Sequence, residues 1–427
     1  MQKISISVVA ILAILAGANY YTSNKAEVEF NKAIDMAKQA GITIENEIYN
    51  KGFFSSTASF IASKNEIKTE INADIKSDIF TFLSQNPLAK ISVKALDETT
   101  KSFARSTLGS DEMFEIFYKQ SISGDKNLKF ALKDADFKES DNEIKSSGFW
   151  GEINLNSDKF VKDATLNIDN LLLKSPEFKA QIIGLNAKTI AKTDINLAQF
   201  FNEIAPYESH ANGKQISIET NEAKAELNGL KYDGQTAQNG DLLGGDDVLK
   251  FENFTINGVK FNDIKISSNV QNLSVSGLNA VLLKLNDPAL LNDENSFENF
   301  GLKVRDDLAT IIAKNPKFGT KIEAKNYQNA NMTFKLDFGF DGFNGKINDD
   351  FNPIKYANFG GFLEFSPNLN EFFAQIPAFA ILAGMFNELF VSEANAQKMA
   401  FRLDKNTEDL VFNDKISLKE ILGAFSY

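Results

Sequence analysis

The sequence predicts an α+β protein in which an extended, curved and predominantly antiparallel β-sheet carries a few packed helices behind one amino-terminal transmembrane helix. One observation is an uncharged apolar run at residues 4–20. Another is a series of segments between residues 153 and 285 in which apolar and polar residues alternate, as in strands with one buried face. The last is a pair of helical patterns, at 66–84 and 299–313, each followed closely by Asn-Pro.

The apolar run decides the compartment of the chain. As a helix it reaches roughly 26 Å, just short of the roughly 30 Å hydrocarbon core of a bilayer. We expect an uncleaved anchor, because Asn19, Tyr20 and Tyr21 end the run and aromatic residues favour the membrane interface. The alternative is a signal peptide cleaved at the small residues Ala16-Gly17-Ala18. In both cases Lys3 on the short side predicts that the rest of the chain is exported.

Length and composition indicate an ordered protein of two or three domains or of one extended sheet. The chain has 427 residues, of which 43% are hydrophobic and 24% charged. The patterns divide it into an anchor or signal peptide at 1–21, an α+β region at 22–145, a β-meander at 146–290 and a second α+β region at 291–427. The 38 phenylalanines are explained by ordinary core packing, with a large apolar cavity as the alternative.

Charge and residue usage exclude several classes of function. The net charge of −12 disfavours nucleic acid as a partner. The absence of cysteine excludes disulfides, thiol nucleophiles, iron-sulfur clusters and cysteine-ligated zinc. The one histidine, His210, is predicted to be a solvated turn residue in a loop rather than a general base. We expect no cofactor, no metal site and no enzymatic activity, since no Gly-x-Ser-x-Gly sequence is present either.

The segment after the anchor combines a helix with a hairpin. Apolar residues at helical spacing predict a short helix that ends at Gly41. Alternation at 42–48 predicts a strand, Asn50-Lys51-Gly52 a turn, and 53–61 the return strand.

This segment carries a resemblance to a known family. The sequence Tyr49-Asn50-Lys51-Gly52-Phe53-Phe54-Ser55-Ser56 resembles the Tyr-x-x-Gly-x-Phe-Ser-Ser motif of the bacterial YdgA family of uncharacterised envelope proteins, whose motif residues here are Tyr49, Gly52, Phe54, Ser55 and Ser56. The last 60 residues are also similar, although Asn413-Asp414-Lys415 stands where the family has Asn-Gly-Lys. The resemblance implies a single-pass protein of the inner membrane with most of its chain in the periplasm, and it supplies no catalytic residue.

In the rest of the amino-terminal half, a helix is predicted at 66–84 and a shorter one at 111–120. Trp150, flanked by glycines, is interpreted as part of a turn between strands rather than as a binding platform. The meander is interrupted by a helix at 195–204 and by a glycine- and aspartate-rich stretch at 235–247. That stretch is predicted to be a mobile loop, with a calcium site as the less favoured alternative because the EF-hand spacing is missing.

The carboxy-terminal region begins with a second helix-then-strand pattern. The sequence at 307–316 matches 78–87 at Asp, Thr, Asn and Pro, which raises the hypothesis of two related halves. Strands are predicted at 332–340 and 359–365, followed by a hairpin of 399–403 with 410–412. Ser417 and Glu420 have the form of a capping box that opens a final helix.

Between these strands lies an almost continuously apolar segment at 372–391. It is predicted to be a buried core helix, with a membrane-surface helix as the alternative, because it is too short to span a bilayer. If it instead binds an apolar ligand, the residues expected to form that surface are Phe372, Phe373, Phe379, Leu382 and Phe386.

Three classes of function follow from the sequence, and the third, a hydrolase, is the weakest because its Ser-His-acid chemistry would have to rest on His210. The first is a membrane-anchored, non-enzymatic envelope protein that acts by interaction or scaffolding with envelope protein partners. The second is a binder or carrier of a lipid or another apolar ligand in the periplasm. In the first two classes, membrane lipid is a partner through the amino-terminal helix.

Overall fold

A computed structural model of the chain describes part of the helical stretch 27–38 and residues 42–64, 67–76, 87–285, 296–376 and 387–424. The predicted anchor lies outside the described residues. The protein is mostly antiparallel sheet with few helices, as the sequence predicts. Its residues form two compact units, Met1–Phe201 with Asn212–Glu222, and Asn202–Ala211 with Ala223–Tyr427. The four-part division made from the sequence stays a prediction.

The first unit is built from β-strands that follow one another along the chain, with one helix between β4 and β5 and another after β11. The elements are β1 Thr43–Asn50, β2 Ser55–Lys64, β3 Ile67–Lys76, β4 Ala89–Ala95, α1 Glu98–Leu108, β5 Glu112–Gln120, β6 Lys126–Ala131, β7 Ala135–Glu139, β8 Asn142–Ser147, β9 Trp150–Leu155, β10 Val161–Lys174, β11 Phe178–Ala191 and α2 Leu197–Asn202. A further strand, β12 Tyr207–Thr220, has residues in both units.

The strands of the first unit pair in an antiparallel order that branches once. The order runs β1-β2-β3-β4-β5-β6-β9-β10-β11. The long strand β10 pairs with β9 over its first half and with β8 over its second, and β7 pairs with β8. Helix α1 packs against β4, β5 and β7.

One face of this sheet forms a tightly packed core. Residues paired in register across five strands, Ile75, Ala89, Tyr118, Leu128 and Ile153, are each at most 4% exposed. The helical stretch 27–38 packs on the other end of the sheet, because the ring of Phe30 lies 6.0 Å from that of Phe60 on β2 and 5.4 Å from that of Tyr49 on β1. The predicted helix, hairpin and return strand at 28–61 are therefore confirmed within the described residues.

Two predicted helices of this unit are wrong. Residues 67–76 form β3, since the four-residue spacing of Ile67, Ile71 and Ile75 fits the two-residue repeat of a strand as well as the helical repeat. The remaining part of that predicted helix, 77–84, lies outside the described residues. Residues 112–120 form β5, whose alternate side chains Phe114, Ile116 and Tyr118 are buried.

The helix of this region lies just before β5. It begins at Asp97, whose Oδ1 accepts a hydrogen bond from the N–H of Thr100 at 2.7 Å. It ends at Gly109 in the left-handed conformation, with φ +64°. Trp150 is the first residue of β9, directly after the predicted turn. The Nζ of Lys129 lies 4.6 Å from the centroid of its ring.

The second unit is a larger antiparallel sheet with helices inserted between its strands. Its elements are β13 Lys224–Asn239, β14 Leu242–Ile256, β15 Val259–Ser274, α3 Val275–Leu285, α4 Ser296–Lys303, α5 Arg305–Ile312, β16 Lys317–Asn326, β17 Asn331–Phe340, β18 Ala357–Ser366, α6 Leu369–Phe372, β19 Val391–Glu393, β20 Ala396–Asp404, β21 Asp409–Phe412, β22 Ile416–Ser417 and α7 Leu418–Ala424. The pairing order is β13-β14-β15-β16-β17-β18-β20-β21-β22, and β19 pairs with β20.

Several further predictions are confirmed, one in the first unit and the rest in the second. The predicted helices at 195–204 and 299–313 correspond to α2 and to the pair α4 and α5, and strands 332–340 and 359–365 lie within β17 and β18. The predicted hairpin is β20 with β21, where Phe401 pairs with Phe412. The capping box is reciprocal: the Oγ of Ser417 accepts from the N–H of Glu420 at 3.2 Å, and the Oε2 of Glu420 accepts from the N–H of Ser417 at 2.7 Å.

The glycine- and aspartate-rich stretch 235–247 is not a loop. It forms the tight hairpin of β13 and β14, with Gly240 at φ +61° in the turn. Its carboxylate Asp241 caps α3 by accepting hydrogen bonds from the hydroxyl of Ser274 at 2.7 Å and the N–H of Ser276 at 2.8 Å. These two bonds lower the pKa of Asp241. A run of Asp and Gly thus serves a hairpin turn and a helix cap.

The apolar segment 372–391 does not form the predicted continuous helix, because helical structure stops at its beginning and gives way to a strand at its end. Phe372 closes the short helix α6, residues 373–375 form a turn, Asn387–Leu389 form one turn of 3₁₀-helix, and β19 begins at Val391. Residues 377–386 lie outside the described residues. The ends of the segment follow the local signals, since Asn368 caps α6 and Val391 to Glu393 pair with β20.

Buried Asn326 at the end of β16 fixes α6 to the sheet. Its side chain is 2% exposed and makes four hydrogen bonds. The Nδ2 donates to the carbonyl oxygens of Glu371 at 2.7 Å and Phe372 at 3.0 Å, and the Oδ1 accepts from the N–H groups of Gln328 and Ala330, both at 2.9 Å. Each donor and acceptor of this amide therefore has a partner. These hydrogen bonds offset the cost of burying the amide and hold α6 in place.

We predict that Asn326→Ala lowers the free energy of unfolding by about 2 to 3 kcal/mol, because it leaves buried backbone groups without partners. Urea-induced unfolding and hydrogen exchange of the β16 and β17 amides measure the effect. The matched control is Asn331→Ala at the exposed start of β17, which should change stability by less than about 0.5 kcal/mol. Equal effects of the two substitutions would contradict the role given to Asn326.

Candidate functional site

The register of the second sheet aligns apolar side chains in a row across six strands. Residues paired directly in an antiparallel sheet point to the same face. The paired residues, from β14 to β20, are Leu249, Ile266, Ile322, Phe334, Leu363 and Met399. At about 4.8 Å between strands, this row is about 24 Å long.

Four further positions on the same face extend this row towards the far end of β17. Leu336 and Phe401 lie two residues along on their strands, and Phe338 pairs with Phe359 beyond them. Phe401 contacts both Phe334 and Phe359, with ring centroids 6.3 Å and 5.8 Å apart. We call these residues and the row the apolar strip: Leu249, Ile266, Ile322, Phe334, Leu336, Phe338, Phe359, Leu363, Met399 and Phe401.

The opposite face of the same strands is polar. Its paired row is Lys231, Lys250, Lys265, Glu323, Thr333, Glu364 and Lys398. Within it, the Nζ of Lys321 lies 2.6 Å from Glu323, and the ammonium of Lys398 lies 4.5 Å from the ring of Phe362. Because this face is solvated, the core of the unit has to lie on the side of the apolar strip.

The described residues cover the apolar strip only in part. Each of its ten residues points to the apolar face and is half-buried, neither fully buried nor fully exposed. Phe318, which pairs with Phe338 at the edge of the strip, is 37% exposed. A contiguous, partly exposed apolar surface of this kind is typical of a ligand or interaction site.

Two aromatic cores close the strip along the direction of the strands. On one side, Phe365 and Phe372 are 1% and 3% exposed, and Met332 of β17 packs against them. On the other side, Phe343 packs with Ala309 and Ile312 of α5, and Phe340 of β17 packs against that cluster. Strand β17 thus begins in one core and ends in the other. Its middle residues Phe334, Leu336 and Phe338 form the floor between them.

A hydrogen-bonded pair stands at the β13 end of the row. Tyr232 pairs with Leu249, and its hydroxyl donates to the Oδ1 of Asp247 at 2.7 Å. Burial and this bond raise the pKa of Tyr232. Gly234 makes room for the pair, since a Cβ there would lie 2.3 Å from Asp247 and 2.4 Å from the hydroxyl of Tyr232.

The residues predicted as an apolar ligand surface are only partly described. Phe372 is buried in the core beside the strip, and Phe373 packs against the same core. Phe379, Leu382 and Phe386 lie outside the described residues, so their assignment stays a prediction. Sequence reasoning missed the strip because it found the strands 332–340, 359–365 and 399–403 separately, and the register that aligns them with three further strands has no local signal.

The family motif forms the first hairpin. Tyr49 lies in β1, Gly52 in the turn, and Ser55 and Ser56 open β2, while Phe54 is exposed. Its residues are brought together by the turn, far along the sequence from the residues of the strip.

His210 lies in strand β12 and not in a loop, which corrects the sequence prediction. Its Nδ1 lies 2.7 Å from Asp233 and its Nε2 lies 3.0 Å from Glu208. These two carboxylates raise the pKa of His210 above its ordinary 6.5. Both ring nitrogens of His210 are thus engaged by carboxylates, and the contact with Asp233 links β12 to β13.

We predict that the one histidine signal of the chain titrates above pH 6.5 and that Asp233→Asn lowers its pKa. A raised folded pKa gives stability that is present below the unfolded pKa of 6.5 and is lost as the pH rises through the folded value. An NMR titration of the imidazole resonance measures both proteins. Asp337→Asn on β17 is the control and should leave the titration unchanged; a wild-type pKa at or below 6.5 would contradict the observed contacts.

A polar cavity of about 440 Å³ in the first unit is a weaker candidate site. Its most unusual residue is Lys126, which is 3% exposed and whose pKa is lowered by burial. The Nζ of Lys126 donates to the carbonyl oxygen of Ser157 at 3.1 Å, and the wall residues Lys162 and Asp125 pair at 3.5 Å. A lining of mixed charges that pair with one another selects no ligand class.

The described residues hold neither a cluster of acidic or histidine side chains suited to a metal ion nor a helix with the length and apolar character needed to cross a bilayer.

Comparison with known proteins gives one match. Residues 1–357 match the model of a family described as a bacterial protein of unknown function, DUF945. The chain belongs to this family, which confirms the predicted membership of an uncharacterised bacterial family. No curated protein and no solved structure matches the chain.

Proposed function

We propose that this DUF945 protein is a non-enzymatic binder of lipid, and that the acyl chains of the lipid lie on the apolar strip. The observation that supports this proposal is the row of six paired apolar residues on β14 to β20, none of which is fully buried. Covering apolar surface contributes roughly 25 cal/mol per Å², so an apolar ligand on the strip is stabilised without any polar contact.

The dimensions of the strip suit an acyl chain. The row is about 24 Å long across the strands, whereas the acyl chains of one leaflet occupy half of the roughly 30 Å bilayer core. The floor from Phe334 to Phe338 is about 14 Å along the strand, which leaves room for more than one chain side by side. The cores around Phe372 and Phe343 close the floor at its two ends.

The chemistry of the strip favours a lipid over a protein partner. Protein interfaces carry roughly one hydrogen bond per 100–200 Å². The strip offers only aliphatic, aromatic and thioether side chains, and the neighbouring hydroxyls of Ser268 and Thr320 lie within 3.5 Å of each other. An acyl chain brings no polar group that needs a partner here, whereas a peptide backbone does.

The pair at the end of the row favours a head group that donates hydrogen bonds. The carboxylate of Asp247, which already accepts from Tyr232, repels a phosphate or a fatty-acid carboxylate and attracts a hydroxyl or an amine. A neutral or amine-bearing head group is therefore the better match.

The proposal places this activity in the cell envelope. Residues 4–20 act as a single-pass anchor in the inner membrane, and the two units lie in the periplasm, as the sequence and the family motif imply. Interaction with an envelope protein partner is the competing function, and the experiment below separates the two.

We predict that Phe334→Lys weakens binding of a monoacylglycerol with a pyrene-labelled acyl chain by at least about tenfold, equivalent to 1.4 kcal/mol, because the ammonium enters the centre of the strip. Pyrene fluorescence titration of the detergent-extracted full chain measures the affinity. Thr333→Lys is the matched control, since it adds the same charge to the adjacent residue of β17 on the polar face.

The control should bind as the wild type does, and both variants should show the wild-type circular dichroism spectrum. Absence of monoacylglycerol binding by the wild-type protein sinks the lipid proposal. If Phe334→Lys at the same time abolishes copurification of an envelope protein, the strip is a protein interface and the scaffolding function takes its place.

A further inference from the structure

The turn between β1 and β2 exposes two large apolar side chains. Phe53 is 84% exposed and Phe54 is 64% exposed, and their rings lie 4.7 Å apart in an edge-to-face contact. Such exposure leaves most of the transfer free energy of two phenylalanines unrealised in water. Because both side chains are largely exposed, packing within the unit does not explain their position. Their exposure indicates a contact with another molecule.

The turn is built to hold this pair outwards. A Cβ on Gly52 would lie 2.0 Å from the carbonyl oxygen of Ser55, so only glycine fits. The Oγ of Ser56 is buried and accepts the N–H of Gly52 at 3.4 Å. The motif residues Gly52 and Ser56 therefore fix the backbone on either side of the two phenylalanines.

A second turn with an exposed apolar side chain lies at the same end of the sheet. Ile122, 73% exposed, stands in the turn between β5 and β6. The strand pairing shows that the two turns lie at the same end. Ser55 pairs with Lys76, Ile75 with Ala89, and Ala89 with Tyr118, which is two residues before the end of β5. Both turns thus project from the same end of the first unit.

This end is also where the chain enters the unit from its amino-terminal run. Lys51 in the turn pairs with Glu27 at 3.0 Å, at the start of the helical stretch. The chain between Tyr20 and Glu27 spans at most about 25 Å when fully extended. If the run 4–20 is an anchor, the exposed turns are held within that distance of the bilayer surface.

We propose that this end of the first unit rests on the lipid bilayer, with Phe53, Phe54 and Ile122 inserted into its interfacial layer. The inference depends on the proposed membrane anchoring, and it is independent of lipid binding by the apolar strip. Aromatic side chains gain free energy in the interface, and two turns at one end fix the orientation of the unit, which a single anchor does not.

Spin labelling tests this contact in the full chain, which has no cysteine of its own. Phe53→Cys and Ile122→Cys are each labelled with a nitroxide in protein reconstituted into vesicles of phosphatidylethanolamine and phosphatidylglycerol. The control is Phe178→Cys, because Phe178 is exposed at the opposite end of the same unit, after the turn that follows β10. Collision rates with oxygen and with a water-soluble nickel complex are measured at each position.

The labels at 53 and 122 should show high collision rates with oxygen and lose collisions with nickel relative to the label at 178. Equal nickel collision rates at all three positions, in protein that stays with the vesicles, would overturn the bilayer contact and leave the anchoring intact. Protein that does not associate with the vesicles would show that the anchoring itself is wrong, and the contact would fall with it.

Discussion

Alternation of side chains between the two faces of a strand is the constraint on which this structure depends. Over β14 to β20 the antiparallel register turns that alternation into one row of Leu, Ile, Phe and Met and one row of Lys, Glu and Thr. A one-residue slip in any strand would exchange the two rows. The bulge between Asn262 and Lys265, with Asp263 at φ +50°, belongs to this register, since Ile266 pairs with Ile322 beyond it.

The alternation of side chains leads to different burial in the two units. In the first, the row that runs from Ile75 to Ile153 is completely buried, and α1 packs against β4, β5 and β7. In the second, α5 and the Asn326-bound α6 pack at the two ends of β17, and among the described residues the middle of β17 is half-buried. The burial that stabilises the first unit is thus left incomplete over the middle of the second, and this difference is the physical basis of the proposed lipid site.

The sequence predicted what depends on local chemistry. Strand β17, the capping box at Ser417 and the first hairpin were all found from periodicity, capping and turn residues. The helix predicted at 66–84 is wrong over 67–76, where isoleucines four residues apart fit both repeats. The helix predicted at 111–120 is wrong because Phe114, Ile116 and Tyr118 alternate as strand residues do. The missed helix α1 had signals of its own, Asp97 before it and Gly109 after it. The apolar strip could not be found, because its six paired residues come from strands as distant as Leu249 and Met399, and only the register brings them together.

A photoreactive residue in the floor of the strip gives the most direct test of the central claim. Leu336 is replaced by p-benzoylphenylalanine in living cells, the cells are irradiated, and the mass of the purified chain is measured. Lys335, the adjacent residue on the opposite face, serves as the control position. The lipid account predicts that the chain labelled at 336, and not the chain labelled at 335, gains the mass of a lipid. Crosslinking of position 336 to another protein, or equal behaviour of the two positions, would contradict it.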